Sequence, residues 1–191
     1  MSLYDLIISR RSIRQFKTDP ISQGILRDVV NAGRLAPSAA NRQPLEFIVV
    51  DEESKKKHLF SCLKWAGYIA PEGNPKPGQE PQAYIVVLVN TDIREKGFEW
   101  DSGAAIENMI LAAWGKGIGS CWIISMDKDR VKEALGVPDS HKVDSVVAFG
   151  YPAEVPVIED MKDSIKYWKD ERECLHVPKR KLEDVIRFNK F

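Results

Sequence analysis

The feature that most constrains the fold is a predicted helix with almost no polar face. Between Asp101 and Trp114 the apolar residues fall on nearly every side of the helix: Ala104, Ala105, Ile106, Met109, Ile110, Leu111, Ala112 and Ala113. A helix that is apolar nearly all round belongs in the interior of a protein. We therefore expect the other elements to be built around this helix.

Four short apolar runs predict buried strands, at residues 47–50, 84–89, 120–124 and 143–149. Segments with helical spacing precede or separate these runs: a short helix after Ser2, a second after Ser22, a third over 53–66 and a fourth after Asp127. This order predicts an α+β fold with about four strands and helices on both faces. Residues 71–81 hold four prolines and two glycines, which predicts an irregular excursion.

Length and composition indicate one domain, because 191 residues with 43% hydrophobic content suffice for one packed core. We place the core at residues 1–152 and a C-terminal arm at 153–191, where the sequence becomes charged and loses periodicity. The 28 basic residues equal the 28 acidic ones, so no overall charge favours nucleic acid or a membrane surface. Three scattered cysteines and the lack of a signal sequence favour the cytoplasm.

A cluster of basic residues follows the first helix: Arg10, Arg11 and Arg14, with the hydroxyl of Ser12 among them. Guanidinium groups form paired, charge-assisted hydrogen bonds with phosphate oxygens, so the cluster could hold a phosphate monoester. Taken alone, the cluster would more often be a solvated charged patch. The same applies to a second basic run near the C-terminus, Lys179, Arg180 and Lys181.

Two further segments could read a planar ring. The loop at residues 37–44 carries Ser38, Asn41 and Gln43, whose side chains can hydrogen bond to the edge of a heterocycle. The run from Gly117 to Ser125 joins the apolar helix to a strand, and its glycines permit close backbone approach.

Together these four segments resemble the FMN-dependent nitroreductase family. The start of the chain matches an RRSxRxF-like motif, residues 37–47 match a PSxxNxQPxxF loop, and residues 117–123 match a GxGSCWI-type strand. The resemblance extends from residue 4 to about 183. It implies a nitroreductase-like central mixed sheet of about four to five strands flanked by helices, in a domain-swapped homodimer whose arm packs on the partner subunit.

The resemblance also implies roles for individual residues, all in binding FMN. Phosphate, ribityl and pyrimidine contacts would come from Arg10, Arg11, Ser12 and Arg14. A loop from the second subunit would supply Pro37, Ser38, Ala39, Asn41 and Gln43. The strand along the flavin would supply Trp122, Ile123, Ile124 and Ser125, and the phosphate would be closed off by Lys179, Arg180 and Lys181.

The chemistry implied is hydride transfer from NADH or NADPH through FMN to an electron-poor acceptor such as a nitroaromatic or a quinone, by a ping-pong mechanism. This asks little of protein side chains, so no catalytic acid, base or nucleophile is assigned. A family member with a dedicated reductive reaction, such as dehalogenation or flavin fragmentation, is an alternative, as is a non-catalytic flavin-binding protein. Cys174 and His176 could share a metal, but two ligands make a weak case, and we assign no metal site.

The proline-rich segment begins with the large apolar residues Trp65, Tyr68 and Ile69. Loops of this composition often act as lids on rigid scaffolds. We expect residues 68–81 to border the acceptor pocket. The segment could equally be a surface connection whose first residues, Trp65, Tyr68 and Ile69, anchor it through apolar contacts.

Overall fold

A computed structural model describes residues 2–191 of the chain. Its helices are α1 (Leu3–Ser9), α2 (Gln23–Arg34), α3 (Glu53–Cys62), α4 (Glu99–Trp114) and α5 (Lys128–Leu135). Its strands are β1 (Leu45–Val50), β2 (Ala83–Asn90), β3 (Gly119–Ile123), β4 (His141–Gly150), β5 (Val157–Asp160), β6 (Trp168–Lys169) and β7 (Leu175–Lys179). Short 3₁₀ turns lie at Ala39–Asn41 and Leu182–Asp184.

Strands β1 to β4 form the main sheet, in the order β1-β2-β4-β3, which confirms the expected α+β fold with a central sheet of about four strands. Neighbouring strands are antiparallel, and one parallel bridge, between Ser12 and Ser120, is added at the β3 edge. β2 lies inside the sheet, and its side chains alternate between two cores. Tyr84 and Val86 pack in the core that includes Leu59 of α3 and Val131 of α5. Ile85 and Val87 pack in the core of α2 and α4. Both faces of β2 are therefore buried, which explains its uninterrupted apolar sequence.

The predicted caps are present at three helices. Side-chain oxygens of Ser2, Ser22 and Asp127 accept hydrogen bonds from the first turns of α1, α2 and α5, which satisfies backbone donors that the helices cannot pair themselves.

The helix expected over 53–66 is shorter than predicted and ends at Cys62. Leu63 instead forms a bridge with Met126, and the Lys64 N–H donates to the Ser125 carbonyl oxygen at 3.0 Å. Trp65 is then buried in the core by the extended chain. Tertiary pairing overrides the helical spacing here, because these residues bury their apolar side chains without continuing the helix.

One face of α4 is open to solvent in the single chain. Seven of its residues are buried, among them Ile106, Met109 and Ala113. The remaining face is partly or fully exposed and is formed by Trp100, Gly103, Ala104, Glu107, Asn108, Leu111 and Ala112. We call this set the α4 open face. The expectation of a central helix therefore holds for one side of α4 within this chain.

The arm divides into two parts. Residues 157–179 form a small sheet in the order β5-β7-β6, and they contact the core of their own chain: Lys76 pairs with Glu173, and the Lys169 amine donates to the Glu72 carbonyl oxygen at 3.0 Å. Residues 180–191 are exposed and include large apolar side chains, such as those of Leu182, Phe188 and Phe191. Across residues 2–191, none of the helices combines the length and the apolar character needed to cross a membrane.

Candidate active site

The segment that follows α1 and carries Arg10, Arg11 and Arg14, which we call the arginine segment, is fixed against the edge of the main sheet. The Ile13 N–H donates to the Ser120 carbonyl oxygen at 2.8 Å, and Ile13 and Phe16 are fully buried. Two glycines make this approach possible. A Cβ at Gly119 would lie 2.7 Å from the Ile13 side chain, and one at Gly150 would lie 2.7 Å from Phe16. The chain around residue 13 can therefore lie close to the sheet, because Gly119 of β3 and Gly150 of β4 have no side chain that would block it.

A carboxylate from the start of the arm holds the same segment from the other side. Glu154 accepts hydrogen bonds from the backbone N–H groups of Arg14 and, at 3.1 Å, of Gln15. The buried Gln15 side chain in turn donates to the Asn74 carbonyl oxygen at 2.9 Å and accepts from the Lys76 N–H at 2.9 Å. Glu154 was not identified from the sequence, since a single glutamate in a charged, non-periodic segment gives no signal.

The predicted basic residues line one cavity of about 460 Å³, which we call the arginine cavity. Its wall contains Arg10, Arg11, Ser12 and Arg14 from the segment after α1, and Lys179 from the end of β7. Residues that are 165 positions apart in sequence therefore meet at one surface. The remaining wall is largely apolar and comes from Ile7, Ile8, Ile158, Tyr167 and Val177.

Arg11 Nη1 donates to the carbonyl oxygens of Ile8 and Arg10, both at 2.7 Å, whereas two other arginines of this cavity have unpaired donor atoms. The Nε atoms of Arg10 and Arg14 are buried without any hydrogen-bond partner. Arg10 faces Glu107 at 3.8 Å, which is too long for a hydrogen bond. Burial and, secondly, the Arg10 guanidinium lower the pKa of Arg11, so its surroundings disfavour its positive charge. Clustered, partly desolvated cations with free donors are the arrangement that an anion stabilises.

The other two basic residues at the C-terminus do not line this cavity. Arg180 and Lys181 are exposed, and the Arg180 guanidinium donates to the Asp184 carbonyl oxygen at 2.7 Å. Of the predicted basic run, the structure brings Lys179 to the arginine segment.

Tyr167 is a cavity residue that the sequence did not reveal. The Arg14 guanidinium carbon lies 5.1 Å from the centroid of the Tyr167 ring, within the range of a cation–π contact. Tyr167 also packs on Tyr68, with ring centroids 5.0 Å apart, and its hydroxyl accepts from the Tyr68 N–H at 3.4 Å. The proline-rich segment thus reaches the cavity wall through this pair.

The predicted strand residues lie at the sheet edge next to the arginine segment. The Ile123 side chain is in the core, whereas Trp122, Ile124 and Ser125 are exposed. Ser120 directs its carbonyl toward Ile13, and backbone groups of alternate strand residues point to the same side. The N–H and C=O of Trp122 therefore face the open edge of β3, as a strand that binds a ring through its backbone would require.

The loop at residues 37–44, predicted to hydrogen bond to the flavin ring and called the ring-reading loop, does not line the arginine cavity. Its residues Pro37, Ser38 and Gln43 line a second cavity of about 150 Å³. In the part of the chain that the structure describes, the two cavities have no lining residue in common. The loop is ordered by its own contacts: the Gln43 N–H donates to Ser38 Oγ at 2.9 Å, and the Gln43 amide donates to Asn41 Oδ1 at 3.1 Å. Ala39 and Asn41 bound the 3₁₀ turn. Asn41 and Gln43 have positive φ angles, so the loop holds a strained shape.

Asp101, at the start of α4, orders this loop and was not singled out in the sequence. It is 3% exposed, accepts from Ser38 Oγ at 3.0 Å and from the Ala39 N–H at 3.1 Å, and pairs with Arg94 at 3.3 Å. The signal in the sequence that could have indicated this contact is the presence of an acidic residue at the start of an otherwise apolar helix.

The thiol of Cys121 lies beside this site on β3. Burial raises the pKa of Cys121, and the nearby Arg14 offsets this in part. A buried thiol with a raised pKa remains protonated at neutral pH and is a poor nucleophile.

Comparison with known proteins relates most of the chain to nitroreductases. Residues 7–151 match the model of the nitroreductase family. A relative from Archaeoglobus fulgidus, provisionally named a NADH dehydrogenase/NAD(P)H nitroreductase, is 35% identical over 156 residues, or 78% of this chain and 84% of the relative. A nitrobenzene nitroreductase from Ectopseudomonas oleovorans is 25% identical over 77% of this chain and 85% of its own length.

A solved structure agrees with these relatives. The structure of an FMN-dependent nitroreductase from Clostridium difficile is 25% identical, covers 98% of this chain and 99% of its own, and superposes with a TM-score of 0.71. The match of the family model extends over most of the chain and includes the arginine segment, the 37–44 loop and β3. This chain therefore belongs to the nitroreductase family.

Proposed function

We propose that the protein is an FMN-dependent oxidoreductase that passes hydride equivalents from NADH or NADPH to electron-poor small molecules such as nitroaromatics or quinones. The observation that carries this proposal is the meeting of Arg10, Arg11, Arg14 and Lys179 at one cavity. Relatives named as NAD(P)H nitroreductases and a neighbour named as FMN-dependent support it.

The arginine cavity suits a cofactor that has a phosphate. Its volume lies within the range of about 300–1,000 Å³ that is usual for small-molecule pockets. The partnerless buried Nε atoms of Arg10 and Arg14 are donors that a bound anion or ring carbonyl would satisfy. Arg10, Arg11 and Lys179 would hold the phosphate, and the Ser12 hydroxyl would hold the ribityl chain. Arg180 and Lys181 would approach the phosphate if residues 180–191 change position when a partner subunit covers them.

The flavin ring would lie along the open edge of β3, against the backbone of Trp122, Ile123, Ile124 and Ser125. FMN, when bound, supplies a ring that accepts a hydride from NAD(P)H and passes it to the acceptor. The task of the protein is to hold the ring, exclude water and offset negative charge. Arg14 is the cation best placed for the last task, since it lines the cavity next to β3.

A homodimer would complete the site. The arginine cavity lacks the ring-reading loop, which lines another cavity of the same chain, so Pro37, Ser38, Ala39, Asn41 and Gln43 would come from a second copy. The surfaces that this copy would cover are the α4 open face, α1, which has no buried residue, and the exposed apolar tail at 180–191. Exposed apolar surface of this kind is typical of an interface.

Donor and acceptor would occupy the same flavin face in turn, so turnover would follow a ping-pong pattern. Parallel lines in double-reciprocal plots are expected, and intersecting lines would refute shared occupancy. We place the protein in the cytoplasm, because Cys62, Cys121 and Cys174 are all free thiols.

Flavin content and its reduction test the proposed function. Purified protein is expected to be yellow, and anaerobic stopped-flow mixing with NADH and with NADPH is expected to bleach it, with one donor faster. A panel of nitroaromatics and quinones should then restore the colour. Yellow protein that neither donor reduces would support a non-catalytic flavin-binding role, and protein that binds no FMN would refute the proposal.

A further inference from the structure

The hairpin formed by β6 and β7 carries three potential metal ligands on its outer side. The ligand atoms of Asp170, Cys174 and His176 all lie within 4.8 Å of one another. They are a carboxylate oxygen, a thiol and an imidazole, which together suit a borderline-soft divalent metal. The proposed flavin chemistry uses none of them.

The hairpin itself brings the three groups together. Cys174 immediately precedes β7, and His176 is the second residue of that strand. At this spacing of two residues in extended chain, their side chains point to the same side. Asp170 is held at the other side of the turn, where its Oδ1 accepts the N–H of Cys174 at 2.8 Å and that of Arg172 at 3.0 Å. Its second oxygen, Oδ2, is thereby directed toward His176 Nε2, which is 3.5 Å away.

Two neighbours fix the imidazole in the orientation that a metal ligand needs. His176 Nδ1 lies 3.2 Å from Glu159 Oε2, and the other oxygen of Glu159 accepts from the Trp168 indole at 2.9 Å. The Trp168 ring stacks on His176 with centroids 4.3 Å apart and an interplanar angle of 17°. A histidine that binds a metal through one nitrogen nearly always donates the other N–H to a carboxylate or a similar acceptor.

We propose that Asp170, Cys174 and His176 form a binding site for Zn²⁺, with a fourth position open to water. Glu159 would accept the Nδ1 proton and leave Nε2 for the metal. Oxygen and nitrogen ligands that lie about 2.0–2.1 Å from a tetrahedral zinc are about 3.3–3.4 Å apart, close to the 3.5 Å between Asp170 Oδ2 and His176 Nε2. Binding would release the thiol proton from Cys174.

The site lies apart from the arginine cavity, and the proposal does not depend on FMN chemistry. Val177 and Lys179 line that cavity. His176 immediately precedes Val177 in β7, and because successive side chains of a strand alternate, it points to the opposite face. A metal on the outer face would brace the small sheet whose inner face forms part of the cavity wall. The competing interpretation is an ion-pair network, in which a protonated His176 lies between Glu159 and Asp170 without a metal.

In the experiment, the FMN-containing protein is first dialysed against a chelator, and Zn²⁺ is then titrated into it in a calorimeter. One equivalent of Zn²⁺ per chain is expected. His176→Gln and Cys174→Ser should each weaken binding by more than Glu159→Gln, which should itself weaken it about 10–100-fold because it removes the carboxylate behind the histidine. His58→Gln is the matched control, since His58 is exposed on α3 away from the cluster.

Thiol alkylation gives a readout that does not depend on affinity. Of the three cysteines, Cys62 and Cys121 are buried and Cys174 is partly exposed. Peptide mass spectrometry should show that Cys174 is alkylated first and that Zn²⁺ protects it in the parent protein but not in His176→Gln. Equal zinc affinity in the parent protein and His176→Gln, or no protection of Cys174, would overturn the site and support the ion-pair network. Thermal melting would show that each variant is folded.

Discussion

Two parts of the proposed FMN site differ in how far a single chain completes them. The arginine cavity is assembled within one chain, from segments at both ends of the sequence, and its cations have unsatisfied donors. The 37–44 loop is also ordered within one chain, but its polar groups are occupied by each other and by Asp101. It faces a smaller cavity of its own.

The difference suggests how the binding of the FMN phosphate and of the flavin ring would be divided between two subunits. A phosphate site needs charge, and charge can be gathered from any element that reaches the surface. Reading a ring edge needs groups held at defined positions, and the loop gains that rigidity from the buried Asp101 and from left-handed backbone at Asn41 and Gln43. One chain would then carry a charged half-site and a rigid half-site, and two chains would pair them.

The strongest way to break this picture is to prevent dimerisation. Ala104→Arg places a charged side chain on the α4 open face and is expected to weaken self-association at least a hundredfold, because a buried, unpaired charge at an interface is very costly. FMN should be lost with the partner's loop. Sedimentation velocity and flavin absorbance measure both effects.

Ala134→Arg, on the exposed surface of α5, is the matched control and should remain dimeric and yellow. A folded Ala104→Arg monomer that retains FMN would contradict the division of the site between two chains. The loop would then have to reach the flavin within its own chain.

The charged half-site is tested next. Arg10→Ala and Arg11→Ala each remove hydrogen bonds to a charged group and should cost about 1.5–3 kcal/mol of FMN binding, or about tenfold to 150-fold in affinity. Fluorescence titration of apoprotein with FMN measures this. Arg27→Ala, an exposed arginine on α2, should have no effect. Unchanged affinity in both cavity variants would remove the phosphate assignment.

Much of this site could be predicted from the sequence, because its main parts are local motifs. The basic segment, the polar loop and the glycine-rich approach to β3 each lie within a few consecutive residues. Their residue types indicate the chemistry directly. Lys179 was also expected at the phosphate, although Arg180 and Lys181 beside it lie outside the cavity in the single chain.

The sequence did not reveal residues that act through distant contacts. Glu154 holds the arginine segment from 140 residues away, Tyr167 covers Arg14, and Asp101 orders the 37–44 loop. Glu154 and Tyr167 belong to no periodic pattern or short motif, and the position of Asp101 at the start of an apolar helix does not indicate which loop it contacts. The helix expected over 53–66 is present but ends at Cys62 for a related reason, since the pairing of Leu63 with Met126 depends on tertiary packing that helical spacing does not describe.

The rigid half-site depends on Asp101. Asp101→Asn removes the charge that pairs with the mostly buried Arg94 and weakens the acceptor for Ser38 and the Ala39 N–H. A loss of about 1–3 kcal/mol in unfolding free energy is expected, with a fall in FMN affinity that is smaller than for the cavity arginines. Urea unfolding at a fixed protein concentration measures the first and FMN titration the second.

Asp92→Asn, an exposed aspartate in the loop before α4, should unfold like the parent protein. If Asp101→Asn also unfolds like the parent protein and binds FMN equally well, then the loop is not organised by this carboxylate. The contrast between a rigid and a charged half-site would then have no basis.

The smallest expected effect concerns what enters the completed site. The proline-rich segment touches the arginine cavity through Tyr68, which packs on Tyr167 and donates its N–H to the Tyr167 hydroxyl. We propose that residues 68–81 form a lid that shapes the acceptor pocket. Replacing residues 72–80 with a short Gly/Ser linker would remove the Asn74 and Lys76 contacts to Gln15 but leave the arginines in place, so FMN should remain bound.

The measurement is kcat/KM for several nitroaromatics and quinones, and the expected result is a shift of a few-fold in the ratios between acceptors. Gln15→Ala is the matched control, because it removes the anchor of the segment without shortening it. A uniform change in every kcat/KM would mean that the segment only supports the arginine segment from behind. Unequal changes in the linker variant, larger for bulky acceptors, are what a lid over the cavity requires, because a lid acts through the size of what it admits.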